Sequence, residues 1–454
     1  MAGVFFTIVV CKRYNPQTSI QYIKIKFKGV LLMSILGVVQ YILSLGPTVM
    51  LPISITIIGL CFGQGFKKAF KSGITIGIGF VGIGLVLDLL VNNLGPAAQA
   101  MVDRLGLRLT VIDGGWPSAA AGTWGSPIAA MIIPLALIVN LIMIVTKTTK
   151  TMNIDIWNFW HFGAAAATMF IITDGNWGLA IAAAIIYEIM VLKVADWTAP
   201  MVQDFYGLEG ISLPTGSTAS FAPIGILLAK GIGKIPVIKD LHADPESIQK
   251  KFGIFGEPMM MGVVIGCVLG ILAGYDVGET LKIGMAMGGV MLLLPRMVKI
   301  IMEGLIPVSE SVREFLHKKF GDRQLHIGLD AALAVGHPAV LSTALILVPI
   351  TIILALILPG NRVLPFGDLA TIPFLVCFIV GATKGNIVHS VLAGTVVMAL
   401  ALLMATDFAP VYTEMLKQAQ FAIPEGVAQM SNLDTGGNLF NWIVLKAAQL
   451  IAAI

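Results

Sequence analysis

Apolar residues run in long stretches along the chain, and polar residues gather in short clusters between them. Ile74–Leu90, Ile128–Val145, Gly178–Leu192, Met259–Leu272 and Ala339–Leu358 are near or at bilayer-crossing length. About 20 apolar residues, each rising roughly 1.5 Å, cross a hydrocarbon core of about 30 Å. Counting such stretches predicts about ten to eleven transmembrane helices, so the expected fold is an all-α polytopic membrane protein.

Two stretches break this pattern. Leu213-Pro-Thr-Gly-Ser-Thr-Ala-Ser220 and Leu364-Pro-Phe-Gly-Asp-Leu-Ala-Thr371 share L-P-x-G-x-x-A-[ST], each with a further Pro beyond, Pro223 and Pro373. Helix breakers and hydroxyls suit a simple span poorly. Non-helical backbone at membrane depth survives only where protein buries it or it lines a wet cavity. These segments are therefore expected as two re-entrant hairpins, near 211–229 and 362–380.

Composition supports the membrane reading. The 454 residues are 57% hydrophobic and 12% charged, where a soluble domain carries about 25% charged residues. The net charge of +4 comes from basic residues lying between spans, as the positive-inside rule places them, so no nucleic-acid partner is expected. Cys11, Cys61, Cys267 and Cys377 show neither metal-ligand nor disulfide spacing. No P-loop, nucleophile elbow or Cys/His cluster occurs, so neither metal nor cofactor is expected. Gly77, Gly79 and Gly82 spell G-x-G-x-x-G inside an apolar run; a dinucleotide site needs a strand before that motif, and close helix packing explains it better. Residues 1–32 are too basic after their apolar part for a signal peptide. Codons for Lys28-Gly29-Val30 can hold a ribosome-binding site ahead of Met33, so Met33 is the expected start and residues 1–32 a leader or non-native extension.

Lys67, Lys68, Lys71, Lys147, Lys150, Lys193 and the lysines of 230–251 mark one side of the membrane, the cytoplasm. Counting crossings from them puts residues 92–125 outside and 301–335 inside. Those segments match: each carries a Pro (Pro96, Pro307), an amphipathic stretch and an Asp (Asp113, Asp330) before an apolar span. Paired segments of opposite orientation are an inverted repeat, a transporter layout with its solute site near the midplane.

Candidate site residues follow from this. Asp113 and Asp330 stand at equivalent repeat positions, and a carboxylate at membrane depth is costly without a role. Capping a helix is the plainer alternative. A carboxylate accepts hydrogen bonds from sugar hydroxyls, and Asp330 could take a proton from one. Asp368 and Thr371 in the second hairpin, and Thr215, Ser217 and Thr218 in the first, suit an uncharged polyol. His161 and His337 begin spans, Glu257 precedes Pro258, and Glu188 lies inside a span.

Ten blocks carry a resemblance: LGPTVMLPI (45–53), SGITIGIGFVGIGLV (72–86), GPAAQAM (95–101), DGGWPS (113–118), NIDIWNFWH (153–161), LEGISLPTG (208–216), KFGIFGEP (251–258), GILAGYDV (270–277), IGLDAALAVGHPAV (327–340) and PGNRVLPFGDLATI (359–372). The chain resembles the galactitol-type enzyme IIC permeases of the bacterial sugar phosphotransferase system from about residue 40 to 437. The resemblance implies a permease domain over 33–437, with 438–454 as a C-terminal apolar helix. It implies a multi-pass protein of the bacterial cytoplasmic (inner) membrane, among membrane lipid, that binds an extracellular polyol or sugar, galactitol as first guess. A separate enzyme IIB, phosphorylated on cysteine and fed by enzyme IIA, would phosphorylate the solute. The permease itself would carry no phosphate and act as the transport subunit of that phosphotransferase complex. Related ascorbate-type permeases imply a homodimer with an elevator-type core. The chain departs from galactitol permeases at Thr215, where His can stand, and at Glu188. Two other readings remain open: an ion-coupled secondary transporter on the same inverted-repeat plan, and a membrane-embedded enzyme acting on lipid.

Overall fold

A computed structural model of the chain describes residues 47–106, 109–243, 257–320, 325–365, 367–419, 421, 423 and 427–453. The leader expected at 1–32, the start at Met33 and Cys11 lie outside the described residues.

The elements run in one order twice. The first half holds α1 (Pro47–Cys61), α2 (Phe66–Leu105), β1 (Val111–Asp113), α3 (Gly115–Trp124), α4 (Ala129–Val145), β2 (Thr151–Asn153), a 3-10 turn (Ile156–Phe159), α5 (Trp160–Ile172), α6 (Trp177–Tyr206), β3 (Ile211–Ser212) and α7 (Gly216–Ile232). The second holds α8 (Pro258–Ala273), α9 (Val277–Phe320), β4 (His326–Gly328), α10 (Ala332–Val335), α11 (Pro338–Ile357), β5 (Val363–Leu364), a 3-10 turn (Leu369–Thr371), α12 (Ile372–Ala382), α13 (Ile387–Gln418), β6 (Gln429–Ser431) and α14 (Leu439–Ala452). Local details repeat as well. Thr173-Asp174-Gly175-Asn176 and Thr383-Lys384-Gly385-Asn386 make the same turn, with φ of 51° and 88° in the first and 53° and 81° in the second. Each Asn then caps the next helix with its side-chain oxygen.

This order corrects one sequence expectation. The match of 92–125 with 301–335 holds, since α2–β1–α3 answers α9–β4–α10. The match of 213–220 with 364–371 does not. β3–α7 answers β6–α14, and β5–α12 answers β2–α5. Leu-Pro-x-Gly recurs because extended backbone turns into a helix in both places, which is a local demand and not a repeat position.

The strands show how the halves interlock. Two three-stranded parallel sheets form, β5-β1-β6 and β2-β4-β3. In each, a strand of one half sits between two strands of the other. Val111 pairs with Val363 and Gln429, and Ile327 pairs with Met152 and Ile211. Extended backbone in an apolar interior must bond its N–H and C=O groups internally, and three extended segments satisfy one another.

Helix ends follow from packing. A Cβ on Gly381 would come within 2.9 Å of Met201 Sδ, and one on Gly385 within 3.3 Å of Phe205. The C-terminal ends of α6 and α12 therefore meet. Ile387 N–H donates to Ala243 O and His389 contacts Ile238 O, so the chain leaving α7 reaches that same end. Gly79 and Gly82 press against Ile301 and Met297 of α9, so G-x-G-x-x-G serves helix packing in the middle of α2. α14 belongs to the repeat: it packs on α5 and α7, and its N-cap Asn438 is fully buried.

Trp177–Tyr206, Pro338–Ile357 and Ile387–Gln418 are long and apolar enough to cross a membrane, and shorter apolar helices accompany them. The protein is thus mostly helical with several apolar helices. Part of the expected span length is instead non-helical: α12, with 11 residues, rises only about 16 Å, and β5 and a 3-10 turn precede it in the chain.

Candidate functional site

The C-terminal ends of both sheets carry aspartates. Asp113 ends β1 and is buried. Its Oδ1 accepts from Gly115 N–H at 2.8 Å and its Oδ2 from Asp368 N–H at 2.9 Å. Asp368, fully buried, accepts from Trp116 N–H (2.7 Å) and Thr371 Oγ1–H (3.0 Å) on Oδ1, and from Asp434 N–H (2.9 Å) on Oδ2. Glycine is required at 367, since a Cβ there would lie 2.6 Å from Gly115 N.

The second sheet repeats the plan. Asp330 Oδ1 accepts from Ala332 N–H at 2.9 Å, the same two-residue reach as Asp113 to Gly115. Asn158 Nδ2 donates to Asp330 Oδ2 (3.0 Å) and Asp155 Oδ2 (2.6 Å). Asp155 and Asn158 are three apart, as are Asp368 and Thr371. Thr215 Oγ1 accepts from Ala331 N–H at 2.8 Å and faces Asp155 Oδ2 at 3.5 Å.

His161 joins the two clusters. Its Nε2 lies 2.9 Å from Asp434 Oδ1, and its Nδ1 lies 3.0 Å from Asn158 O. A carbonyl only accepts, so the hydrogen of that contact sits on Nδ1. Trp160 stacks on the imidazole at 3.8 Å. Gly216 also lies against it, where a Cβ would come within 2.5 Å of Cγ. Hydrogen bonds thus run unbroken from Asp113 through Asp368, Asp434, His161 and Asn158 to Asp330.

The structure brings together Asp113, His161, Thr215, Asp330, Asp368 and Thr371 from the sequence expectations. Ser217 and Thr218 are buried in the first turn of α7, and Ser217 O accepts from Ser220. Two candidates sit elsewhere. His337 caps α11, accepting from Ala339 N–H at 3.2 Å, with its ring 4.7 Å from that of Phe205. Glu257 is the N-cap residue of α8, which packs on α9 and α2. The sequence reading missed Asp155, Asn158 and Asp434. Asp155 has a signal, since it precedes a 3-10 turn as Asp368 does. Asp434 has one in the polar run Ser431-Asn-Leu-Asp-Thr-Gly-Gly-Asn438.

Chemically, the network offers carboxylates, an amide, hydroxyls and one imidazole. Among the described residues no Lys or Arg pairs with it, and no three His, Cys, Asp or Glu are placed to hold a metal ion. Carboxylates accept from hydroxyls and repel anions, so the arrangement suits a neutral polyhydroxy ligand.

Residues 41–426 match the family described as the PTS system sugar-specific permease component, EIIC-GAT. The chain belongs to this family. The PTS system galactitol-specific EIIC component of Escherichia coli K12 is 43% identical to it over 409 residues, 90% of each chain. A putative permease IIC component of the same strain is 42% identical over 411 residues, 90% of this chain and 94% of the relative. The protein is therefore a PTS sugar permease. Asp434, which closes the permease's network onto His161, lies beyond the family match.

Proposed function

We propose that this permease carries galactitol, or a closely related hexitol or pentitol, across the bacterial cytoplasmic membrane. A separate enzyme IIB, itself fed by enzyme IIA, phosphorylates the solute at the cytoplasmic face. The observation that carries the substrate class is the buried network of carboxylate, amide and hydroxyl groups, which no Lys or Arg among the described residues joins. The 43% identity to a galactitol-specific component makes galactitol the first member to test.

The two halves are the two arms of an inverted repeat, and the solute lies between their sheets near the midplane. Support comes from the swapped strands and from the two matching turns. Thr383–Asn386, bearing Lys384, gathers with the C-terminal ends of α6 and α7 and with Lys230 and Lys234. Its counterpart Thr173–Asn176 bears Asp174. That charge difference suits one turn inside and one outside. The segment 207–232 enters and leaves at one face, and 429–452 is its opposite-facing counterpart. Asp113, Asp330, Asp368, Thr371, Thr215 and His161 line the solute, with Ser217 and Thr218 behind Thr215 in the same helix turn. Asp330 is the group placed to accept a proton from a sugar hydroxyl. The long helices α2 and α9, with α1 and α8, form the surface on which a homodimer assembles and against which the core moves as an elevator.

A calorimetric screen of galactitol, other hexitols, pentitols and ascorbate against the purified permease tests the substrate class. Galactitol binding with no ascorbate binding is expected. Preference for the anion would overturn the reading.

A further inference from the structure

β3 passes into α7 through Leu213–Thr215, but β6 passes into α14 through Asn432–Asn438, a longer connection at the equivalent place. The longer loop is buried throughout. It bonds to both clusters: Asp434 N–H donates to Asp368, Asp434 Oδ1 meets His161, and Asn438 Nδ2 donates to Gly216 O at 3.2 Å. It also orders itself, since Asn432 Oδ1 accepts from Thr435 and Gly436 N–H groups. Yet three buried polar atoms in and just after it have no partner among the described residues: Asn432 Nδ2, Thr435 Oγ1 and Asn441 Oδ1. All three residues are 0% exposed. Unpaired buried polar atoms are rare, and a group of them calls for something to complete it.

We propose that the Asn432–Asn438 loop, with Asn441 behind it, is a specificity element of the solute site, completed by hydroxyls of the bound polyol. The inference rests on the polyol reading of the site given above. Its chemistry complements that of the aspartates. Carboxylates only accept, so they take the hydrogens of solute hydroxyls. A hydroxyl oxygen also needs a donor, and Asn432 Nδ2 and Thr435 Oγ1 supply donors that the aspartates lack. Donors on one side and acceptors on the other read the configuration at each carbon, since inverting one centre moves its hydroxyl away from its partner. The loop has no equal in the first half, so it makes a nearly two-fold site unequal at its two ends.

Calorimetric binding of galactitol, glucitol and mannitol to the intact purified permease tests this. Thr435→Val removes one donor with little change in size, and Asn432→Leu removes the other together with the Oδ1 that holds the Thr435 and Gly436 N–H groups. Each is expected to weaken galactitol binding by about tenfold or more and to change the ratio of affinities among the three hexitols. Thr435→Ser, which keeps the hydroxyl, is expected to stay within about twofold of the parent. If Asn432→Leu does not fold, the pair Thr435→Val and Thr435→Ser decides. Parental affinities and ratios in the variants would mean that buried water completes these groups, and would overturn the inference alone. A parent that binds none of the hexitols would overturn the polyol reading itself.

Discussion

His161 Nε2 stands 2.9 Å from Asp434 Oδ1, and the contact ties α5 of the first half to the β6–α14 loop of the second. Removing either partner leaves the other buried and short of a hydrogen bond, at a cost of about 1–3 kcal/mol. His161→Ala and Asp434→Ala should each weaken polyol binding by about tenfold or more, and the double variant should lose less than the product of the two. A double-mutant cycle measured by calorimetry checks this; independent effects would show that the contact does not couple the halves.

Asp330 accepts from Ala332 N–H and Asn158 Nδ2. Asp330→Asn keeps one carbonyl oxygen for Ala332 but places an amide where a carboxylate accepted. Polyol binding should fall while the unliganded melting temperature stays close to the parent's. Calorimetric affinity equal to the parent's would remove Asp330 from the site.

Asp113 behaves differently, because its two oxygens hold backbone N–H groups of two different segments, Gly115 and Asp368. Asp113→Ala should lower stability by about 2 kcal/mol or more, seen as a lower melting temperature in detergent, along with lost transport. A variant that melts like the parent would show that water replaces the carboxylate there.

Two glycines of α7 make a matched pair. A Cβ at Gly216 would press on the His161 ring at 2.5 Å, whereas one at Gly231 meets nothing within 4 Å. Gly216→Ala should displace His161 and abolish uptake, while Gly231→Ala should be silent. Transport by Gly216→Ala at the parent's rate would show that the ring can yield without loss.

Much of the fold is legible in the sequence. Apolar run lengths announce the helices, and Pro96 with Asp113 against Pro307 with Asp330 announces the repeat. The Leu-Pro-x-Gly likeness misleads because turn chemistry answers to local backbone demands, so it recurs wherever a strand passes into a helix. Thr-x-Gly-Asn, at 173–176 and 383–386, is the better register mark. Strand pairing is not legible at all: Val111, Val363 and Gln429 are neighbours only after the chain folds back on itself. Asp155 and Asp434 gain their full meaning only in the fold: Thr215 faces Asp155 from 60 residues away, and His161 meets Asp434 from 273 residues away.

The account stands on coupled transport. Vesicles bearing the permease and loaded with enzymes IIA and IIB and a phosphoenolpyruvate-driven phosphate supply should take up labelled galactitol and hold it as the phosphate ester. Uptake should fall to background when the IIB cysteine is removed. Free galactitol accumulating on an ion gradient, without IIB, would contradict the account and mark an ion-coupled transporter instead.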